Sequence, residues 1–396
     1  MIRIPIQFIR KTYRQLKNIR INIIFKFPPK TDVLIYGEAR EEIIRDYVPS
    51  SKKIYSMNMW ELTLYLEPIL ILNIIRNFLK KELVFSIMID GSKKGLISYF
   101  KDILEEAIIN RINPKLIITY IDNYPRFGRL SSKFKEIRFI AIQNGCRSRW
   151  DTKDACKHDI YLSFTNQEPN LLNKLGWDIK EANNIGSLYA ARSFATIQNK
   201  KFKNDLLIIS CWRGNIEIDY DYLEQYKATK EMHIFLNSLI NKEKYRAKII
   251  LRSGKDYKDW FVKKFNLNEE EYLKNIYGNS CEILENKHYT KNGGKDIYQE
   301  IHSSHLSVSF LTSAILEGHI YGHNCLYLNF YKNDFYHQDF PKEIVLSKNN
   351  KIFLESEIRR KINDSKKRSE DIFLISKTKS KDTLNKFRSI ISKYSK

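Results

Sequence analysis

Short apolar runs, each closed by a polar residue or glycine, recur along this chain between stretches of helical length. No other feature of the sequence restricts its fold as strongly. In the first half, strands are expected at DVLIYG (32–37), Ile54–Tyr55, LVFSIMID (83–90), KLIITYID (115–122) and RFIAIQN (138–144). In the second half they are expected at DLLIISCW (205–212), YRAKIILRSG (245–254), SCEILE (280–285), HLSVSF (305–310) and NCLYLNF (324–330). Helices are expected over 64–81, 98–112, 221–240, 256–264, 268–276 and 312–320. Strands without polar alternation are buried on both faces, and helices between them supply the cover, so the pattern specifies α/β domains with parallel sheets. A Lys/Asn-rich stretch around 188–204, including Arg192, separates the two patterned regions. The economical arrangement is two Rossmann-like domains, 31–195 and 196–346, facing a central cleft. A basic segment (1–30) would precede them, and a basic helical or flexible segment (347–396) would follow.

Charge is concentrated at the ends. The 396 residues carry a formal charge of +22; residues 1–30 contribute eight Lys/Arg and no acid, and residues 351–396 contribute 14 bases against 6 acids. A nucleic-acid enzyme would gather its bases along a central groove, so nucleic acid is not an expected partner. Terminal basic segments instead suit an anionic inner-membrane surface. Phe8, Ile9, Tyr13 and Leu16 make an apolar stripe among bases in 5–20, which can lie in a headgroup layer or pack on the protein body. The run LYLEPILILNIIRNFLKK (64–81) contains Glu67 and Arg76, which argue against a membrane span, and no uncharged apolar stretch of about 18 residues occurs. The N-terminal sequence has neither the long apolar segment nor the small-residue cleavage site of a secretory signal. Five cysteines (Cys146, Cys156, Cys211, Cys281, Cys325) without metal-ligand spacing fit reduced thiols. Together these features suggest a cytoplasmic, membrane-peripheral protein.

Residues just beyond strand ends are the candidates for chemistry, because open α/β sheets bind ligands there. Asp122, in IDNYPRFGR, could accept a proton from a hydroxyl or simply cap its turn; Arg126 and Arg129 could meet an anion or anchor the loop. Gln143, Asn144 and Gly145 form a polar turn in which Asn144 can orient a sugar or phosphate, with Arg147 and Arg149 nearby. Arg213, after Trp212, could contact a phosphate. Arg252 and Lys255 flank Ser253–Gly254 before an expected helix, although the segment lacks the Walker A frame. Thr312 and Ser313 can cap the next helix and offer its first N–H groups to phosphate. Glu317, four residues after Ser313, shares its helical face and could hold ribose hydroxyls. His302/His305 and His319/His323 lack a carboxylate set, so no metal site is expected.

The arrangement IDN…RF…L…FIAIQNG followed by IILRSG…LSVSFLTSAILEG resembles bacterial surface-carbohydrate glycosyltransferases with a GT-B fold. More distantly, it is similar to capsule and lipopolysaccharide transferases and to CDP-glycerol glycerophosphotransferases. The resemblance spans roughly 30–330. It implies that the second domain binds a nucleotide-activated sugar as substrate, without a resident cofactor or metal. The first domain would admit a glycan or glycolipid acceptor. Gln143–Asn144–Gly145 stands at a Gln-His-Gly-type turn, but Asn144 replaces the imidazole and cannot act as a base, which shifts that role to Asp122. Arg252–Ser253 stands where a His-Pro-type turn is found, implying phosphate binding by Arg252. Thr312–Ser313 with Glu317 matches the donor-site turn and acid. A CDP-linked polyol-phosphate transferase and a non-catalytic glycan- or membrane-binding subunit are the alternatives.

Overall fold

The computed structural model describes residues 20–25, 30–37, 39–58, 61–78, 96–147, 156–198, 202–211, 220–252, 269–285, 296–310, 312–331, 340–348 and 350–395. The strand expected at 83–90, the helix expected at 256–264 and nearly all of the N-terminal stripe lie outside these residues.

In the first half, the chain runs through β1 (Arg20–Ile24), β2 (Val33–Tyr36), α1 (Glu41–Tyr47), β3 (Ile54–Met57), β4 (Glu61–Tyr65), α2 (Pro68–Phe78), α3 (Leu96–Ile112) and β5 (Leu116–Thr119). It continues through α4 (Pro125–Lys133), β6 (Arg138–Ile142), β7 (Lys157–Ser163), α5 (Gln167–Lys174), β8 (Asp178–Asn184) and α6 (Leu188–Thr196). The second half comprises β9 (Asn204–Ile209), α7 (Tyr220–Glu243), β10 (Ala247–Ile250), α8 (Glu269–Tyr277), β11 (Cys281–Leu284), α9 (Ile297–His302) and β12 (Ser304–Ser309). It closes with α10 (Ser313–Ile320), β13 (Cys325–Asn329), β14 (Val345–Ser347), α11 (Lys351–Lys367) and α12 (Ser369–Tyr394).

Each half contains a six-stranded sheet, ordered β3-β2-β5-β6-β7-β8 in the first and β11-β10-β9-β12-β13-β14 in the second. Every pairing in both is parallel. The strands are buried on both faces, as their unbroken apolar sequences require: Val33 and Ile35 of β2 enter one hydrophobic cluster, Leu34 and Tyr36 another. These are two Rossmann-like α/β domains around a cleft, a GT-B-like architecture.

In each sheet the chain first adds strands to one side and then crosses to the other. The first crossing point lies between β2 and β5, the second between β9 and β12. Such crossing points leave a crevice beyond the carboxyl ends of the strands, which is where the candidate site is found.

Strands β7 and β8 were not expected. β7 opens with Lys157, His158 and Asp159, which hide its apolar end; β8 (DIKEANN) lies at the sheet edge, and most of its side chains face solvent. The short parallel pair β1–β4 was likewise not foreseen.

The C-terminal segment is helical. α12 packs on α6 and α1 of the first half, and α11 on β12 of the second. Phe387 and Ile391 of α12 are buried in the cluster that also holds Ile44, Leu188 and Phe194. Tyr394 ends the brace by donating from its hydroxyl to Glu181 at 3.0 Å. At the junction, Gly186 has φ +82° and its missing Cβ would stand 2.8 Å from the Tyr321 hydroxyl. Only glycine accommodates both constraints. Beside this brace, His302 and His323 meet edge to face with ring centres 5.3 Å apart within the core, and burial pushes the His323 imidazole down to about 3. These histidines pack helices together, and among the described residues no group of three or more His, Cys, Asp or Glu side chains could hold a metal ion.

Candidate functional site

A polar cavity of about 440 Å³ lies between the halves. The first half contributes Arg40 from the β2–α1 turn and Asn144, Gly145 and Cys146 from the turn after β6. The second contributes Ser210 and Cys211 after β9, Leu251 and Arg252 after β10, Ile297 and Tyr298 of α9, and Thr312, Ser313 and Glu317 at the start of α10. Both crossing points therefore open into the same space. The halves approach closely: a Cβ on Gly145 would lie 3.7 Å from Ser313 Oγ.

Glu317 is buried and joins the halves. Its Oε1 accepts from Ser313 Oγ at 2.8 Å, and its Oε2 accepts from the Tyr298 hydroxyl at 2.6 Å. Ser187 Oγ of the first half, at the N-cap of α6, also donates to Oε2. Arg40 faces this group. Its guanidinium carbon lies 4.3 Å from the centre of the Tyr189 ring and 5.1 Å from that of Tyr120. Burial lowers the Arg40 pKa, but Tyr120, Tyr298 and Glu317 outweigh it and raise the pKa, so the cation is firmly held. Arg40 adopts φ 55°, the left-handed region that non-glycine residues seldom occupy.

Arg252 lines the opposite wall. Its backbone N–H donates to Glu269 Oε1 at 3.0 Å, and Ser210 Oγ donates to the same atom at 2.5 Å. Glu269, the first residue of α8, thereby ties together the turns after β9 and β10. Thr312 caps α10, its hydroxyl accepting from the Ala314 N–H at 3.4 Å, and Ser313 starts the helix at the cavity edge. The cavity thus combines two guanidinium groups, several hydroxyls and a helix start, an environment suited to a phosphate-bearing ligand.

Of the residues singled out in the sequence, the structure brings together Asn144, Arg252, Thr312, Ser313 and Glu317. Arg213, Ser253, Gly254 and Lys255 lie outside the described residues, as do Arg149 and Trp212. Asp122 does not line the cavity. It is fully buried, ion-paired with Arg147 and accepts from the Tyr161 hydroxyl at 2.8 Å. The expectation of a general base at Asp122 therefore conflicts with this geometry, because its oxygens are committed behind the turn. Arg126 is also an anchor: it is buried and pairs with Asp102 and Glu105 of α3. The turn Gln143–Arg147 is held from behind by Glu168, which accepts from the Gln143 amide and, at 3.0 Å, from the Arg147 N–H. Asp122→Asn is expected to reduce stability by about 1–3 kcal/mol by weakening this support. The check is a denaturant melt alongside turnover per folded molecule; full stability with abolished turnover would restore the base.

Sequence reasoning missed Arg40, Ser187, Tyr298 and Glu269. Arg40 follows the strand at 32–37 within four residues, so the strand-end rule applied elsewhere would have found it. Ser187, Tyr298 and Glu269 carry no comparable local signal.

No protein-family model matches the chain, and no curated protein sequence matches it. Among solved structures, it is similar to a glycosyltransferase from Rickettsia africae ESF-5, with 12% identity and a TM-score of 0.47, over 95% of this chain and 98% of that one. It is also similar to Acinetobacter baumannii MurG, at 9% identity and a TM-score of 0.41, over 92% and 100% of the two chains. A UDP-N-acetylglucosamine 2-epimerase from Rickettsia bellii shows 12% identity and a TM-score of 0.42, over 90% and 96%.

Proposed function

We propose that this chain is a nucleotide-sugar-dependent glycosyltransferase that extends a surface polysaccharide or lipid-linked glycan. The observation that carries the reading is the cavity where both sheet crossings meet. It presents Arg252, Ser313 and the α10 start from one half, and Arg40 and Asn144 from the other. Donor phosphate binds between Arg252 and the α10 N–H groups, with Lys255 and Arg213 in the adjoining segments as further phosphate contacts. Asn144 orients a sugar hydroxyl.

In the transfer, an acceptor oxygen forms a bond to the anomeric carbon as the bond from that carbon to the phosphate oxygen breaks. The cationic groups and helix N–H groups stabilise the charge developing on the departing nucleotide. Among the described cavity residues, Asn144 has no basic lone pair and both oxygens of Glu317 already accept hydroxyl protons. The departing phosphate is a basic group that the reaction itself supplies for the acceptor's proton. Glu317 serves chiefly to position Ser313 and to hold the halves at a fixed separation.

Activated sugars carrying UDP, GDP, CMP or CDP should be offered with glycan acceptors, and nucleotide release measured. Acceptor-dependent release of one nucleotide with formation of a glycosidic product supports the reading. Transfer of a polyol phosphate from a CDP-linked donor would replace it with the related chemistry.

A further inference from the structure

The solvent-facing side of α2 is apolar where a surface helix would ordinarily be polar. Pro68, Ile71, Leu72, Ile75 and Arg76 are all exposed and fall within one arc of the helix, while Ile74 turns inward onto the core of the first half. Leu72 is 65% exposed and Ile75 49%. The surface continues past the helix, because the Leu66 N–H donates to Ile24 O at 2.9 Å and so sets the end of β1 beside the start of α2. There Phe25 is 81% exposed and Ile23 57%.

The helix face itself carries only positive charge. α2 contains no acid and carries Arg76 in its last turn; Glu67, just before the helix, is paired with Arg111 at 3.0 Å. β1 begins at Arg20, whose register partner in β4 is Glu61, and in the sequence Lys26 directly follows the exposed Phe25. Exposed aliphatic and aromatic groups, with Arg76 on the helix and Lys26 next in sequence to Phe25, match the two components of interfacial binding, apolar insertion and attraction to anionic headgroups.

We propose that this surface, formed by the exposed arc of α2 with Ile23, Phe25 and Leu66, docks on an anionic lipid bilayer. The inference deepens the membrane-associated part of the proposed function by naming the face that meets the lipid. It places docking on the first half, the side assigned to the acceptor, so a lipid-linked acceptor would reach the cleft from the surface on which the protein sits.

Flotation with phosphatidylcholine vesicles, with and without phosphatidylglycerol, tests it on the full chain. The wild type is expected to float with the anionic vesicles and to be released by high salt. The double variant Leu72→Asp/Ile75→Asp should bind about tenfold or more weakly, with an unchanged melting temperature and unchanged nucleotide binding. Phe25→Ser tests the other end of the patch should the double variant fold poorly, and it too should weaken flotation. Equal flotation of both variants, or no flotation of the wild type, overturns the proposal. So does a wild-type dimer that fails to float and becomes monomeric in the double variant, since the patch would then join two copies. Nucleotide binding is read separately, so loss of lipid docking leaves the transferase reading standing, and the converse holds.

Discussion

Glu317→Ala is expected to reduce folding stability by about 3–5 kcal/mol, the range for removing one partner from a buried charged network. The substitution strands Ser187, Ser313 and Tyr298, all of which donate to this carboxylate. It also leaves Arg40 without the anion that helps hold its charge. Glu317→Gln retains shape and one acceptor oxygen, so its loss should be smaller. Denaturant unfolding of both variants checks the ordering. If alanine were tolerated as well as glutamine, the interdomain role of the carboxylate would be rejected. Because Ser187 belongs to the first half and Ser313 to the second, Glu317→Ala should also weaken donor binding beyond the stability effect.

The second large effect is expected at Arg252. Its side chain lines the cavity while its backbone is fixed through Glu269, so Arg252→Ala removes a charged donor without disturbing the turn. Loss of a charge-assisted contact to phosphate corresponds to about 10- to 100-fold weaker donor binding. The melting temperature without ligand should change little, and acceptor affinity should be affected less than donor affinity. Calorimetric titration of a nucleoside diphosphate into wild type and variant measures this. Unchanged affinity would remove Arg252 from the phosphate site.

Both sheets were legible because their central strands are nearly continuous apolar runs: β2, β5, β6, β10 and β13 fall within segments expected to be strands, and β9 and β12 begin one residue before theirs. β7 and β8 escaped the pattern because the polar start of β7 and the solvent-facing residues of β8 break the apolar signature. The contribution of Thr312, Ser313 and Arg252 to the cleft was readable from the rule that strand ends carry ligand sites. That rule was less reliable for Asp122, which follows β5 as expected but turns inward to Arg147 and Tyr161. Whether a polar residue at a strand end faces the cleft or supports it from behind depends on contacts 25 and 39 residues away. Ser187 and Glu317 illustrate the same limit: they are 130 residues apart, and only folding brings hydroxyl and carboxylate together.

The central claim is that the space between the two crossing points binds an activated nucleotide. Its most direct test is titration of UDP, GDP, CMP and CDP, each also as its activated sugar, into the purified full-length chain, with thermal stability followed. The account predicts a saturable, base-selective rise in melting temperature for one nucleotide family, diminished in Arg252→Ala. Absence of any shift in a protein shown to be folded, with acceptor present as well as absent, would contradict it.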